Sequence, residues 1–209
     1  MLKNDFNSGI FFLKNDYYFG PLINKMSPPT FSKKQDYKQY FESLAKYIIY
    51  QQLSIKAARK IYIRFLDLFP KDNVVPKNFK QLQFKKIRDI GISQSKIKYI
   101  NNVADMFLKN KSFLKNINSL SDAEIINKLT QIKGIGPWTA EMFLMFTLCR
   151  LDVFPLKDLG IKKGIQKLFK LDTPPSDQFM LKKSKKWSPY RTICCLYLWK
   201  MIDGNNFEW

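Results

Sequence analysis

The chain has 209 residues, 45% hydrophobic and 15% aromatic, enough for one large domain or two small ones sharing a core. It carries 36 Lys and Arg against 17 Asp and Glu, a net charge of +19, with three Cys and no His. This excludes Ser–His–Asp and Cys–His nucleophilic chemistry and argues against a zinc site of Cys and His.

Residues 1–35 show weak periodicity and the Ser27–Pro28–Pro29 stretch, and read as an extended or irregular lead-in. Their apolar stretch, Ile10 to Leu13, is too short for a secretory leader, and no run in the chain approaches the roughly 18 apolar residues of a membrane span. From Tyr37 to Leu68 the pattern is helical, with Leu44, Tyr47 and Ile48 on one face and Ala57, Ile61, Phe65 and Leu68 recurring at helical spacing. A break near Gln51–Gln52–Leu53 predicts two helices, with Ser54 as N-cap of the second. Residues 70–76 read as a turn, Phe79 to Asp89 as a short helix ended by Gly91, and Gln94 to Lys109 as a helix capped by Ser93. Ser121 and Glu124 have capping-box spacing, with Leu120 and Ile125 as the hydrophobic staple of a helix reaching Gln131. Lys133–Gly134–Ile135–Gly136 is a tight turn, and Pro137 opens a helix to about Leu148. Asp158 to Phe169 is helical, residues 172–176 form a proline-containing loop, Lys182 to Lys186 is a basic run, and Ser188 to Met201 is the final helix. Strand signals are few, so the fold class is all-α. Cys194 and Cys195 are adjacent and Cys149 stands apart, so no disulfide framework is expected.

Such a basic chain suits a polyanionic partner, nucleic acid before an anionic membrane surface; an A- and T-rich genome would also enrich Lys alongside Asn, Ile, Phe and Tyr. The informative stretch is Leu129 to Phe146. Gly134 and Gly136 permit positive φ and leave the backbone uncovered. The first N–H groups of the following helix, with the positive end of its dipole behind them, suit a phosphate. Such a contact anchors DNA without reading sequence. An ordinary helical hairpin with a glycine turn is the competing reading.

The stretch Ile132-Lys-Gly-Ile-Gly-Pro-Trp-Thr-Ala-Glu-Met-Phe143 resembles the hairpin of the helix-hairpin-helix DNA glycosylase superfamily. Val153-Phe-Pro-Leu-Lys-Asp-Leu-Gly-Ile161 is similar to the segment that holds that superfamily's catalytic aspartate, which falls on Asp158. Trp187 to Trp199 resembles the C-terminal helix of the 3-methyladenine DNA glycosylase II (alkylbase DNA glycosidase) branch, and Ile48 to Ser54 its early helix and loop. The segments keep the family's order and span about residues 37–201. The resemblance implies two helical subdomains with a DNA-binding cleft between them. A central subdomain would occupy about 40–145, with the hairpin at 121–148. A C-terminal part would occupy 146–209, with residues 1–35 packed on it in place of the β-rich extension of some members.

Two departures place the chain within the superfamily. Members with lyase activity carry a Lys where this chain has Trp138, which implies a monofunctional enzyme that uses water. The endonuclease III branch ends in four clustered Cys that hold an iron–sulfur cluster; these are missing here, so no cofactor is expected. By resemblance, Asp158 is catalytic; read from the residues alone, it is equally an N-cap, and the two roles are compatible. Trp138, Tyr190 and Trp199 match pocket positions, or are core aromatics. Gly134, Ile135, Gly136, Trp138 and Thr139 match DNA-binding positions. Gln52 matches the residue that fills the space vacated by an extruded base, with Leu53 as second choice. The carbonyls of Thr130, Ile132 and Ile135 hold a monovalent cation in related hairpins; no other metal is expected. Arg191 either pairs with an acidic group near the pocket or is a surface charge.

The expected partner is double-stranded DNA containing alkylated bases, bound by a monomer in the cytoplasm, at the bacterial nucleoid, without a membrane. The base range stays open among 3-methyladenine, 7-methylguanine, 1-methyladenine, hypoxanthine and ethenoadenine. The alternatives are a non-catalytic DNA-binding module, a glycosylase/lyase for oxidised bases, and a basic helical protein that binds membranes or partners.

Overall fold

In the computed structural model, residues 2–29, 35–70 and 73–204 are described, and no strand occurs among them. The helices are α1 (Leu2–Lys14), α2 (Phe19–Lys25), α3 (Tyr40–Tyr50), α4 (Ile55–Leu66), α5 (Pro76–Gln81), α6 (Phe84–Asp89), α7 (Gln94–Lys109), α8 (Lys111–Asn116), α9 (Asp122–Thr130), α10 (Pro137–Phe146), α11 (Leu159–Leu168), α12 (Asp177–Ser184) and α13 (Arg191–Asp203). Side-chain oxygens cap five of them: Ser54 accepts from the Ala57 amide, Ser93 from Lys96, Ser121 from Glu124, Asp158 from Ile161 and Ser176 from Phe179. Each satisfies an amide that the first helical turn leaves without an intrahelical partner. The Ser121–Glu124 capping box is formed in both directions. None of the described helices is long and apolar enough to cross a membrane.

The chain divides into two compact units, residues 34–143 and residues 1–33 with 144–209. In the first, α3 and α5 pack on α7, and α4 on α3. Its core is aromatic: Phe41 lies 5.8 Å from Phe79 and from Phe107, and Tyr40 meets Phe143 edge-on at 5.2 Å. In the second, α13 is the central rod, buried from Thr192 to Lys200. Helices α1, α2 and α11 pack against it. Trp187, fully buried just before α13, meets Phe19 of α2 edge-on at 4.9 Å, and its indole N–H donates to Asp16 Oδ2 at 3.3 Å. Asp16 Oδ1 also accepts from the Tyr18 and Phe19 amides where α2 begins.

Several elements differ from their sequence reading. Residues 2–25 are two helices where a lead-in was expected. Phe6, Ile10 and Leu13 do recur at helical spacing, but Phe11 and Phe12 on the exposed face blur the pattern. What fixes the helix is tertiary packing: α1 lies against α2 and α13, and Phe6 and Leu13 are buried. The expected helix over 79–89 is two: Pro76 starts α5 early, and Leu82 adopts an extended conformation between α5 and α6. Helix α8 occupies a stretch to which the sequence pattern assigned no element, and α12 takes in the first part of the basic run; Ser176, an available N-cap, starts α12. The last helix begins at Arg191, not Ser188, and α10 ends at Phe146. Of the turn at 70–76 and the lead-in at 1–35, residues 71–72, 1 and 30–34 lie outside the described residues.

Trp187 joins α2 to the rest of its unit, so Trp187→Ala should lower stability by about 3–5 kcal/mol, read as a lower urea midpoint at an unchanged m-value.

Candidate functional site

Asp158 is 8% exposed at the N-terminus of α11. Its Oδ1 accepts two hydrogen bonds of 2.8 Å, one from the Ile161 amide and one from the indole N–H of Trp199. The first is the N-cap bond that the residue's position predicts. The second comes from α13 across 41 residues of chain, and local sequence carries no trace of it. Two fixed donors on one oxygen set the orientation of the carboxylate, and the positive end of the α11 dipole lies behind it. Gly160 makes this approach feasible, since a Cβ there would stand 2.7 Å from Cδ1 and 2.8 Å from Nε1 of Trp199.

One face of α13 also holds the loop that leads to Asp158. Arg191 Nε and Nη2 grip the two oxygens of Asp152 at 2.6 and 2.9 Å, and Nη2 reaches the Asp152 carbonyl at 3.0 Å. The Thr192 amide donates to the Leu151 carbonyl at 2.9 Å; its buried hydroxyl donates to the Arg150 carbonyl and accepts from the Val153 amide. Arg191, Thr192, Cys195 and Trp199 recur at one-, four- and eight-residue offsets, so a single helix face fixes both the loop and the carboxylate. Arg191 thus pairs with an acid. Burial pushes the Asp152 carboxyl up, but hydrogen bonds from Arg191 and Ser188 and the Arg191 charge outweigh it and hold the group below the ordinary carboxylate range. One turn beyond Trp199, the Asp203 carboxyl is raised, by burial first and then by the Asp158 charge.

The three expected pocket aromatics differ in setting. Trp199 is 3% exposed, its ring 5.9 Å from Phe146 and its N–H spent on Asp158, so its indole is committed to orienting the carboxylate. Tyr190 is half-buried ahead of α13, 5.4 Å from the Phe12 ring. Trp138 is half-buried in the first turn of α10.

The hairpin between α9 and α10 is built as its glycines suggest, with one difference. Gly134 has φ +109, and a Cβ on it would meet the Tyr99 ring at 2.2 Å. Gly136 does not adopt positive φ; it is exposed with nothing within 4 Å of a would-be Cβ, so it leaves the backbone open rather than turning it. Ile135 and Thr139 are buried. Of the three carbonyls expected around a cation, that of Ile132 accepts from the Ile135 amide at 2.9 Å.

The turn between α3 and α4 carries Gln52 and Leu53, the two residues expected to fill the space of an extruded base. Leu53 N donates to the Tyr50 carbonyl at 3.3 Å, Gln51 has φ −50 and ψ 129, and Gln52 has φ +56. These are type II turn values, in which the third position favours glycine. Gln52 and Leu53 are exposed. Holding a non-glycine residue in the left-handed region costs about 1–2 kcal/mol, so the surroundings must impose it. They do: the Gln51 side-chain amide donates to the Gly134 carbonyl at 3.0 Å and to Thr139 Oγ1 at 2.9 Å. Lys96 Nζ donates to the carbonyls of Ile49 and Gln51 at 2.9 and 2.8 Å, and burial lowers its pKa. Tyr99 covers Gly134 and Asn102 donates to the Lys133 carbonyl at 2.9 Å. One face of α7, at positions 96, 99 and 102, therefore braces both the turn and the hairpin.

Residues 45–189 match the HhH-GPD superfamily of base excision DNA repair proteins. The chain is 36% identical over 174 residues to the Bacillus subtilis protein YfjP, covering 80% of this chain and 60% of the relative. It is 36% identical over 175 residues to DNA-3-methyladenine glycosylase 1 of Schizosaccharomyces pombe, covering 81% of this chain and 75% of the relative. The structure of the Schizosaccharomyces pombe 3-methyladenine DNA glycosylase in complex with abasic DNA superposes with a TM-score of 0.87 at 30% identity, over 97% of this chain and all of that one.

Gly160→Ala should displace Trp199 and cost about 1–3 kcal/mol, visible as a lower urea midpoint and altered tryptophan fluorescence. Asp152→Asn should cost about 1–2 kcal/mol at neutral pH, between an exposed and a buried pair. The Asp152 pKa is lower folded than its ordinary 3.8, so its contribution is complete above that value and disappears as pH falls through the folded one. The gap in urea midpoint between Asp152→Asn and the parent should accordingly close under acid.

Proposed function

The chain belongs to the HhH-GPD superfamily of base excision DNA repair proteins, and on that premise we propose that it is a monofunctional DNA glycosylase. It extrudes alkylated purines of the 3-methyladenine type from duplex DNA and hydrolyses their N-glycosidic bond. The observation that carries this reading is Asp158, a buried carboxylate whose orientation is fixed from two sides. As the base departs, positive charge develops on the sugar, and a pre-oriented carboxylate beside C1′ stabilises it without reorganising. The same group orients or deprotonates the attacking water. An alkylated purine already carries positive charge, so it leaves without a general acid, which suits a chain with no His. The names of the relatives support the substrate class.

DNA binding falls to the hairpin. The first turn of α10 presents helix N-terminal amides beside the uncovered backbone of Gly136, an arrangement that holds a phosphate and reads no base. The target must leave the stack to reach a buried carboxylate, and Gln52, exposed on its turn, fills the gap. Trp138 and Tyr190 offer electron-rich faces that attract a cationic base by roughly 0.5–2 kcal/mol, favouring alkylated over normal bases. Trp138 stands where the lyase members carry Lys, so water is the nucleophile and no covalent DNA intermediate forms. The protein acts as a monomer.

Asp158→Asn is the decisive substitution. Asn is as good an N-cap as Asp, and its side-chain oxygen can still accept from Trp199, so the fold should persist. Base release from methylated DNA should fall by about 10²–10³-fold or more while duplex affinity is kept. Undiminished release by the variant, or a borohydride-trapped adduct with the parent protein, would refute the mechanism. Duplex binding should weaken with salt at a log–log slope of about −0.9 per phosphate contacted.

A further inference from the structure

We propose that Gln51 and Lys96 are positioning residues that clamp the Gln52 turn to the hairpin, so that anchoring a phosphate at the hairpin sets how far Gln52 projects into the duplex. The inference rests on the glycosylase reading. Its basis is a set of four hydrogen bonds around one strained residue. Gln51 spans from the turn to the Gly134 carbonyl and the Thr139 hydroxyl, which lie at the glycine turn and in the first turn of α10. Lys96 holds the carbonyls of Ile49 and Gln51, at the end of α3 and at the start of the turn. Between them, Gln52 is kept at φ +56, in a turn position that glycine would fill more readily. A non-glycine residue held at positive φ points to a role for its side chain, and that of Gln52 is exposed.

The clamp also explains why the hairpin alone is insufficient. A phosphate contact fixes the register of the protein on DNA but exerts no force on a base. Extrusion requires that the energy of unstacking be met by a group held rigidly at a set distance from that contact. A turn free to recoil would leave the base stacked. Gln51 links the two points directly by hydrogen bonds. The side chains of Tyr99 and Asn102, one and two turns along α7 from Lys96, keep the hairpin end of that route in place.

The test compares the parent with Gln51→Ala on a duplex carrying an alkylated purine that the parent releases. The lesion sits opposite either its normal partner or an abasic site, where no pair must be broken. Release is measured in single turnover with enzyme in excess, and extrusion by stopped-flow fluorescence of 2-aminopurine beside the lesion. With the lesion paired, Gln51→Ala should slow both signals about tenfold or more, since a misplacement near 1 Å can cost roughly 10²-fold. Affinity for undamaged duplex and its salt slope should be unchanged, and the defect should largely vanish opposite the abasic site. Gln52→Gly should show the same loss on the paired duplex while raising the urea midpoint, because it relieves the strained turn. Lys96→Met should resemble Gln51→Ala; if it does not fold, the two glutamine variants still decide. Parent-like release by Gln51→Ala from the paired duplex would overturn the proposal, as would an equal defect on both duplexes. A parent protein that releases no base from methylated DNA would instead refute the glycosylase reading itself.

Discussion

A carboxylate taken out of water costs several kcal/mol unless donors replace its lost hydration. Asp158 is in that position, and it is met by a backbone amide of its own helix and by the indole N–H of Trp199. The rest of its unit is arranged around keeping that pair together. Gly160 leaves room for the indole, α11 and α13 pack side by side, and α13 is buried from Thr192 to Lys200. Preorganisation of this kind is what allows one acid to serve a reaction in which charge develops at a fixed place.

Both units use the same device, a helix acting as a ruler. In one, α13 presents Arg191, Thr192, Cys195 and Trp199 along one face, and these set the loop from Arg150 to Val153 and then the carboxylate. In the other, α7 presents Lys96, Tyr99 and Asn102, and these set the α3–α4 turn and the glycine hairpin. Helical rise is fixed at 1.5 Å per residue, so side chains on one face define distances that flexible loops could not keep. The functional loops gain their geometry from rigid elements that themselves carry no chemistry.

The polar groups on these rulers are mostly satisfied by backbone carbonyls rather than by opposite charges. Lys96 and Thr192 bond to peptide oxygens that would otherwise be orphaned in turns and at helix ends. Such bonds depend little on ionic strength, unlike surface ion pairs. A chain of charge +19 that meets a polyanion benefits from that separation, because the α3–α4 turn and the hairpin are held by contacts that do not compete with those that bind DNA.

Much of the outcome was written locally. The caps at Ser54, Ser93, Ser121 and Asp158, the Gly134 turn and Pro137 at the start of α10 each act over three or four residues, so the sequence alone placed most helices and the hairpin. It also singled out Asp158, because an aspartate after that hairpin resembles a known pattern. Other features depended on partners far along the chain. The helices at 2–25 needed one another and α13 to bury their apolar faces. Trp199 looked like one aromatic among several until its N–H met Asp158, and Gln51 looked like part of a break until it reached Gly134 and Thr139. The division has a physical cause: capping and turn chemistry are decided by atoms a few bonds apart, whereas the donor that orients a buried acid, and the clamp that strains a turn, exist only once packing brings distant segments within 3 Å.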